Sequence, residues 1–350
     1  MRSSLLVAGA AATVLVLSSC SPSTQAEIAD DSAETPPTTA QAQDAPSVVV
    51  TTTVLGSVVG EILTCAVGDD SSMTVLMPLG ADPHDFQASS AQVALMASAD
   101  LVVANGLGLE EGVMDAIDNI KAEGVSVLDI AALVDPLPFG EEDEEEHSGE
   151  GSHDDHGHED ERAEEEESHD DHGHGEFDPH FWFDMERMAL AAELIGAELA
   201  VNGDESFASC GESVAEGIRA TDALVADALA SVQEADRVLV TDHDALGYLA
   251  ERYDFDVVGV AIPGGSTLGD ANSSDLADLV ATIQNEGVRA IFGNTAGSPA
   301  LLETLASEVG GDVQVVELFV GSLGGPGSGA ESYQEMMTTN ATRIASALAD

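Results

Sequence analysis

Of the ten histidines in this 350-residue chain, seven crowd into one acidic stretch and three stand apart, at His84, His180 and His243. His84 lies in GADPHDF and His180 in FDPHFWFD, so Asp-Pro-His occurs twice, at 82–84 and 178–180. Proline fixes its own φ and keeps the preceding Asp out of helical geometry, which helps hold the following imidazole in place. His243 lies in VTDHDALGYLA. Imidazoles held at such loop positions can serve as ligands to a divalent metal. Each residue also has a plainer reading. A single loop histidine is commonly structural, and Phe181, Trp182 and Phe183 beside His180 read as core or as a shell that excludes water from a metal bond.

The other seven, His147, His153, His156, His158, His169, His172 and His174, lie in residues 141–176 with 19 acids and one Arg. The segment SHDDHGH occurs there twice, at 152–158 and 168–174. Such a run is expected to be solvated and disordered. Clustered His and Asp/Glu would add several weak, exchangeable metal sites beside a tight one. A long loop adds little closure entropy, so it would not strain the fold.

Of the chain's net charge of −57, this tract supplies −18, which leaves −39 elsewhere. That balance excludes nucleic acid as a partner, because neutralising phosphate needs a basic face. It suits cations, with solubility or a salty habitat as the alternative reading. Arg2, the apolar run 5–17 and Leu17-Ser18-Ser19-Cys20 read as a targeting segment too short to span a membrane. The box resembles a bacterial lipoprotein cleavage site, which would make Cys20 the lipidated first residue; an ordinary signal peptide is the alternative. Residues 21–46, rich in Ser, Thr, Ala and Pro, are expected to form a disordered stalk. Outside the cytoplasm, Cys65 and Cys210 are most simply a disulfide, with a buried free pair as the alternative.

The elements that must position the histidines follow a β/α rhythm in two halves. Strands are expected at 48–54, 73–77, 101–104 and 125–130, and again at 237–241, 255–260, 290–292 and 313–318, with helices between them. His84 and His243 each follow a strand, so they take equivalent places beyond carboxyl ends, where parallel α/β sheets bind ligands. A helix over 185–200 and one of about 25 residues from 207 to about 232 separate the halves. The expected fold class is therefore α/β: two lobes, each a small mostly parallel sheet flanked by helices, bridged by one long helix. The expected divisions are a leader 1–20, a stalk 21–46, a lobe 47–205, a linker helix 206–232 and a lobe 233–350.

VTTTVLGSVVGEI, PLGADPHDFQASS, ADLVVANGLGLE, DPHFWFD after the acidic tract, TDHDALGYLAERY, IPGGST and SYQEMMTTN occur in this order across 48–350. In that order the chain resembles the zinc/manganese substrate-binding lipoproteins of bacterial ABC importers (cluster A-I). The resemblance implies a rigid clamp with metal in the cleft. It places the first ligand on His84, the second on His180 and the third on His243. The fourth, usually an Asp before the Ser/Thr-Tyr of the last loop, falls on Glu331 in GAESYQEMM, whose longer side chain departs from the pattern. A monomeric, lipid-anchored protein outside the cytoplasmic membrane is implied, handing Zn(II) to a permease driven by a cytoplasmic ATPase. Mn(II) is the alternative cargo, although it favours more oxygen ligands. A secreted zinc hydrolase would need an open metal position and a general base, and the chain has no HExxH. A metal-buffering surface protein would need no permease.

Overall fold

The computed structural model describes residues 46–68, 71–139, 175–310 and 313–349. Cys20, most of the stalk and the seven tract histidines lie outside the described residues.

The β-branched run after Pro46 makes a strand for four residues only, β1 (Ser47–Val50). Thr52 then caps a helix, its hydroxyl accepting the Leu55 N–H, so α1 (Thr53–Val67) begins earlier than apolar spacing suggests. β2 (Ser72–Val75), β3 (Leu101–Ala104) and β4 (Val127–Asp129) complete a sheet of order β2-β1-β3-β4, parallel throughout. α2 (Ser90–Ala97), closed by a Ser89/Gln92 capping box, and α3 (Met114–Ala122) cover one face. The second sheet repeats this order: β5 (Val238–Thr241), β6 (Asp256–Val260), β7 (Ala290–Asn294) and β8 (Gln314–Leu318) run β6-β5-β7-β8, again parallel. α6 (Gly247–Tyr253), α7 (Ser273–Glu286), α8 (Ala300–Val309) and α9 (Tyr333–Leu348) accompany it.

Between the sheets the chain forms two helices, α4 (Met185–Asn202) and α5 (Ser206–Leu229). The expected single linker is thus half of a helical hairpin. Gly196 and Gly211 let the two helices close up: a Cβ at 196 would stand 2.8 Å from the Gly211 Cα. α5 also packs on α1 and α9, and Cys65 of α1 is bonded to Cys210 of α5. One continuous core runs from β1 and α1 through the hairpin to α6, β5 and α9, while separate clusters fill the outer faces of each sheet. Burying such apolar side chains contributes roughly 1.5–3 kcal/mol each, so this shared core fastens the lobes to one another.

Candidate metal centre

The two Asp-Pro-His motifs fold into the same local turn. Asp82 Oδ1 accepts the His84 N–H at 3.1 Å, and Asp178 Oδ1 accepts the His180 N–H at 2.8 Å. An Asx side chain bonding two residues ahead is stabilised by the proline between, which favours the turn. His243 is set by Asp242, whose Oδ1 accepts its N–H at 2.9 Å and whose Oδ2 accepts the Asn294 N–H, tying the loop after β5 to β7.

These three loops converge. The ring centroids of His84, His180 and His243 stand 5.3 to 5.6 Å apart, and the ligating nitrogens lie within 4.8 Å of one another. All three side chains are buried, at 3%, 1% and 1% exposure. His180 Nδ1 faces Asp178 Oδ1 at 2.7 Å and His243 Nδ1 faces Asp242 Oδ1 at 2.8 Å, which leaves Nε2 of both rings for the centre. His84 Nε2 stands 3.3 Å from His180 Nε2. Zinc–nitrogen bonds of about 2.0–2.1 Å place neighbouring nitrogens of a tetrahedral site about 3.3–3.4 Å apart, so this pair is already at ligand spacing. His243 Nε2 is buried with no hydrogen-bond partner. Buried polar atoms are nearly always satisfied, so an unpaired nitrogen aimed at two others marks a ligand position.

Electrostatics prepare the centre for a cation. Burial, then the neighbouring imidazoles, pull the His84 pKa down to about 3, and burial lowers that of His180 well below its usual value. Both rings are thus neutral and able to donate lone pairs at neutral pH. Burial raises Asp178 to about 7, against the opposing hydrogen bond from His180. Burial also acts upward on Asp242, but hydrogen bonds from His243 and Asn294 outweigh it and hold this acid below its usual value. Carboxylates on Nδ1 fix the tautomer and make each Nε2 a better ligand. The Trp182 ring closes the other side, 5.2 Å from His180, and belongs to the shared core as well; both sequence-level readings of the aromatics apply.

Three expected site residues are thus together, and the fourth is not. Glu331 is exposed; its carboxylate accepts the Gly327 N–H, and its own N–H donates to Glu335. The local reason is the backbone of the last loop, where Gly327 and Gly329 take positive φ of 83° and 74° and present that N–H to the side chain. A second correction concerns topology. His84 follows the edge strand β2, whereas His243 follows the inner strand β5, so the two face each other from non-equivalent strands. The roles of Asp178 and Asp242 on Nδ1 were missed, although each lies within two residues of its histidine in sequence.

Known proteins resemble this chain over most of its length. The family model described as zinc-uptake complex component A, periplasmic, matches residues 48–347. The zinc-binding protein TroA of Treponema pallidum is 28% identical over 315 residues, covering 88% of this chain and 91% of that one. The manganese-binding lipoprotein MntA of Halalkalibacterium halodurans is 24% identical over 295 residues, covering 83% and 86%. The solved structure of periplasmic TroA superposes with a TM-score of 0.69 at 27% identity, covering 87% of this chain and 99% of that one. A Mn-bound periplasmic metal-binding protein from Candidatus Liberibacter asiaticus shares the fold, with a TM-score of 0.67 at 22% identity and the same coverage. With its two parallel sheets and its buried triad, this chain belongs to the ZnuA family of periplasmic zinc-uptake components.

Proposed function

We propose that this protein captures Zn(II) outside the cytoplasmic membrane, at His84, His180 and His243, and delivers it to an ABC permease powered by a cytoplasmic ATPase. The observation that carries the reading is the convergence of three buried imidazole nitrogens, two of them already 3.3 Å apart. Relatives are named for zinc and for manganese, so names alone do not choose the ion. The donor set favours zinc: nitrogen-rich sites suit it, Mn(II) prefers oxygen, and affinity order places zinc above manganese. Glu331 would complete the set only by leaving Gly327.

The protein acts as a carrier and not as an enzyme, since the buried acids beside the rings are committed to Nδ1 atoms and N–H groups rather than free as a general base. A lipid on Cys20 would hold it at the membrane, in keeping with lipoprotein relatives. No described helix is long and apolar enough to cross a membrane. Competition titration of the purified protein with zinc and manganese against a chromophoric chelator tests the reading. One tight zinc per chain, not displaced by equimolar manganese, is expected; tighter binding of manganese refutes the choice of ion.

A further inference from the structure

Two of the three imidazoles have a carboxylate in hydrogen-bond contact with Nδ1, and the third does not. His84 Nδ1 is buried without a hydrogen-bond partner. Asp82, which occupies the place of Asp178 in the repeated motif, spends Oδ1 on the His84 N–H and Oδ2 on Thr267. The acid nearest to this nitrogen is Glu111, with Oε1 at 3.6 Å, inside ion-pair range and too long for a hydrogen bond. That same oxygen accepts the Ser266 hydroxyl at 2.5 Å.

Ser266 and Thr267 belong to the loop between β6 and α7, in the opposite lobe. Two consecutive hydroxyls therefore reach across the cleft and hold the two acids on either side of His84: Glu111 through Ser266, and Asp82 through Thr267 at 2.8 Å. The loop comes this close because residue 265 is glycine; a Cβ there would overlap the Phe139 ring. Beside these groups a cavity of about 640 Å³ is lined by His84, Glu111 and Ser266, which gives the Glu111 side chain, 39% exposed, room to rotate.

We propose that Glu111 is the positioning carboxylate of His84, presented to Nδ1 by Ser266, so that metal retention is coupled to closure of the β6–α7 loop over the first lobe. This rests on the reading of the histidine triad as a zinc site. A metal on Nε2 draws electron density from the ring and strengthens Nδ1–H as a donor. A charge-assisted N–H···O bond of about 2.7–2.9 Å then forms by a side-chain movement on the order of 1 Å. Glu111 would complete for His84 what Asp178 and Asp242 do for their partners, with one difference. It is the one of these three acids whose carboxylate is anchored from across the cleft by a hydroxyl, in an exposed bond.

The test uses the full chain, with zinc as the probe. Affinity is read by chelator competition, release rate by stopped flow into excess chelator, and site geometry from the d–d bands of the Co(II)-loaded protein. Glu111→Gln is expected to weaken zinc 10- to 100-fold, the range for removing an outer partner of a ligating histidine, mostly through faster release. It should shift the Co(II) bands while leaving the metal-free Tm unchanged. Ser266→Ala should act in the same direction but less, and the double variant should be no weaker than Glu111→Gln alone. Glu111→Gln with affinity and release rate within twofold of wild type overturns the proposal, as does a fall in metal-free Tm without loss of affinity. Multiplying effects of the two changes overturn the coupling. A wild-type chain that fails to hold one zinc against the chelator removes the underlying reading instead.

Discussion

Replacing His180 by alanine asks whether the triad is the tight site. The ring is 1% exposed, held twice by Asp178 and packed 5.2 Å from Trp182, so its loss removes a fixed donor and not a mobile one. Structural zinc sites have apparent binding free energies of about 10–16 kcal/mol. Divided over four ligand positions that is roughly 3–4 kcal/mol each, or about 10²- to 10³-fold in affinity at 1.4 kcal/mol per tenfold. Water entering the vacated space recovers part of this, so the lower figure is the expectation. Chelator competition on the full chain reads the effect, with far-UV circular dichroism of the metal-free variant confirming the fold. Because the three centroid separations differ by so little, His84→Ala and His243→Ala should fall within tenfold of His180→Ala. Tight zinc binding retained within tenfold of wild type in His180→Ala would refute the assignment.

Glu331→Ala should weaken zinc less than fivefold by the same assay, since its carboxylate is engaged with Gly327; a loss as large as that of His180→Ala would restore Glu331 as a ligand. His84 titrates near 3 when folded and about 6.5 when unfolded, so its contribution to stability is intact above pH 6.5 and lost as pH falls toward 3. Between pH 7 and 5 the metal-free wild type should lose about 2 kcal/mol more than His84→Gln in urea unfolding; equal losses would contradict this. Cys65 and Cys210 close a loop with a sequence separation of 145, for which chain entropy gives an upper value of about 5 kcal/mol. The double serine variant should show a clearly lowered Tm with zinc affinity within threefold of wild type. Residues 141–174 can be replaced by Asn-Gly, because Phe139 N–H bonds Glu176 O and Asp178 N–H bonds Leu137 O at the two ends. One tight zinc should survive in calorimetry while weaker equivalents disappear, and an unchanged stoichiometry would refute accessory binding by the tract.

The sequence made the three histidines legible because each sits in a short motif whose local physics is self-contained: an Asx turn twice, and a strand end once. The alternation of β-branched strands with helices likewise revealed both sheets, and β3 occurs where the pattern placed it. What depended on three-dimensional placement was not legible. Glu110 and Glu111 are adjacent and chemically alike. Yet Glu110 is buried, accepting from Thr51 and the N–H groups of Asn105 and Gly106, while its neighbour faces the cavity beside His84. Nothing in a run of two glutamates says which turns inward. Glu331 stands apart from the triad for a similar reason: position before Ser-Tyr fixes where the acid is in the chain, and the glycine conformations before it fix where the carboxylate goes.

The polar contacts across the cleft include both buried and exposed bonds, which differ in what breaking them costs. The segment carrying His180 is held from both lobes: Asn105 Nδ2 of the first donates to Pro179 O at 2.9 Å, and Asp178 N–H to Leu137 O at 2.8 Å. Tyr248 Oη donates to Asp178 O at 2.9 Å, Trp182 Nε1 to Val320 O at 3.0 Å, and Tyr333 Oη to Trp182 O at 2.6 Å. All three bonds are buried, and breaking one strands a desolvated partner at about 1–3 kcal/mol. The segment carrying His180 is therefore fixed to both halves of the molecule by buried bonds. His84 approaches from the first lobe, and of the bonds that secure its flanking acids the one from Thr267 is partly buried and the one from Ser266 to Glu111 is exposed, where water substitutes at little cost. Behind these hydroxyls the loop carrying His84 is tied more firmly, since Gly80 N–H donates to Ser322 Oγ at 2.8 Å; the exposed Ser266–Glu111 bond is thus a polar contact across the cleft that water replaces at little cost.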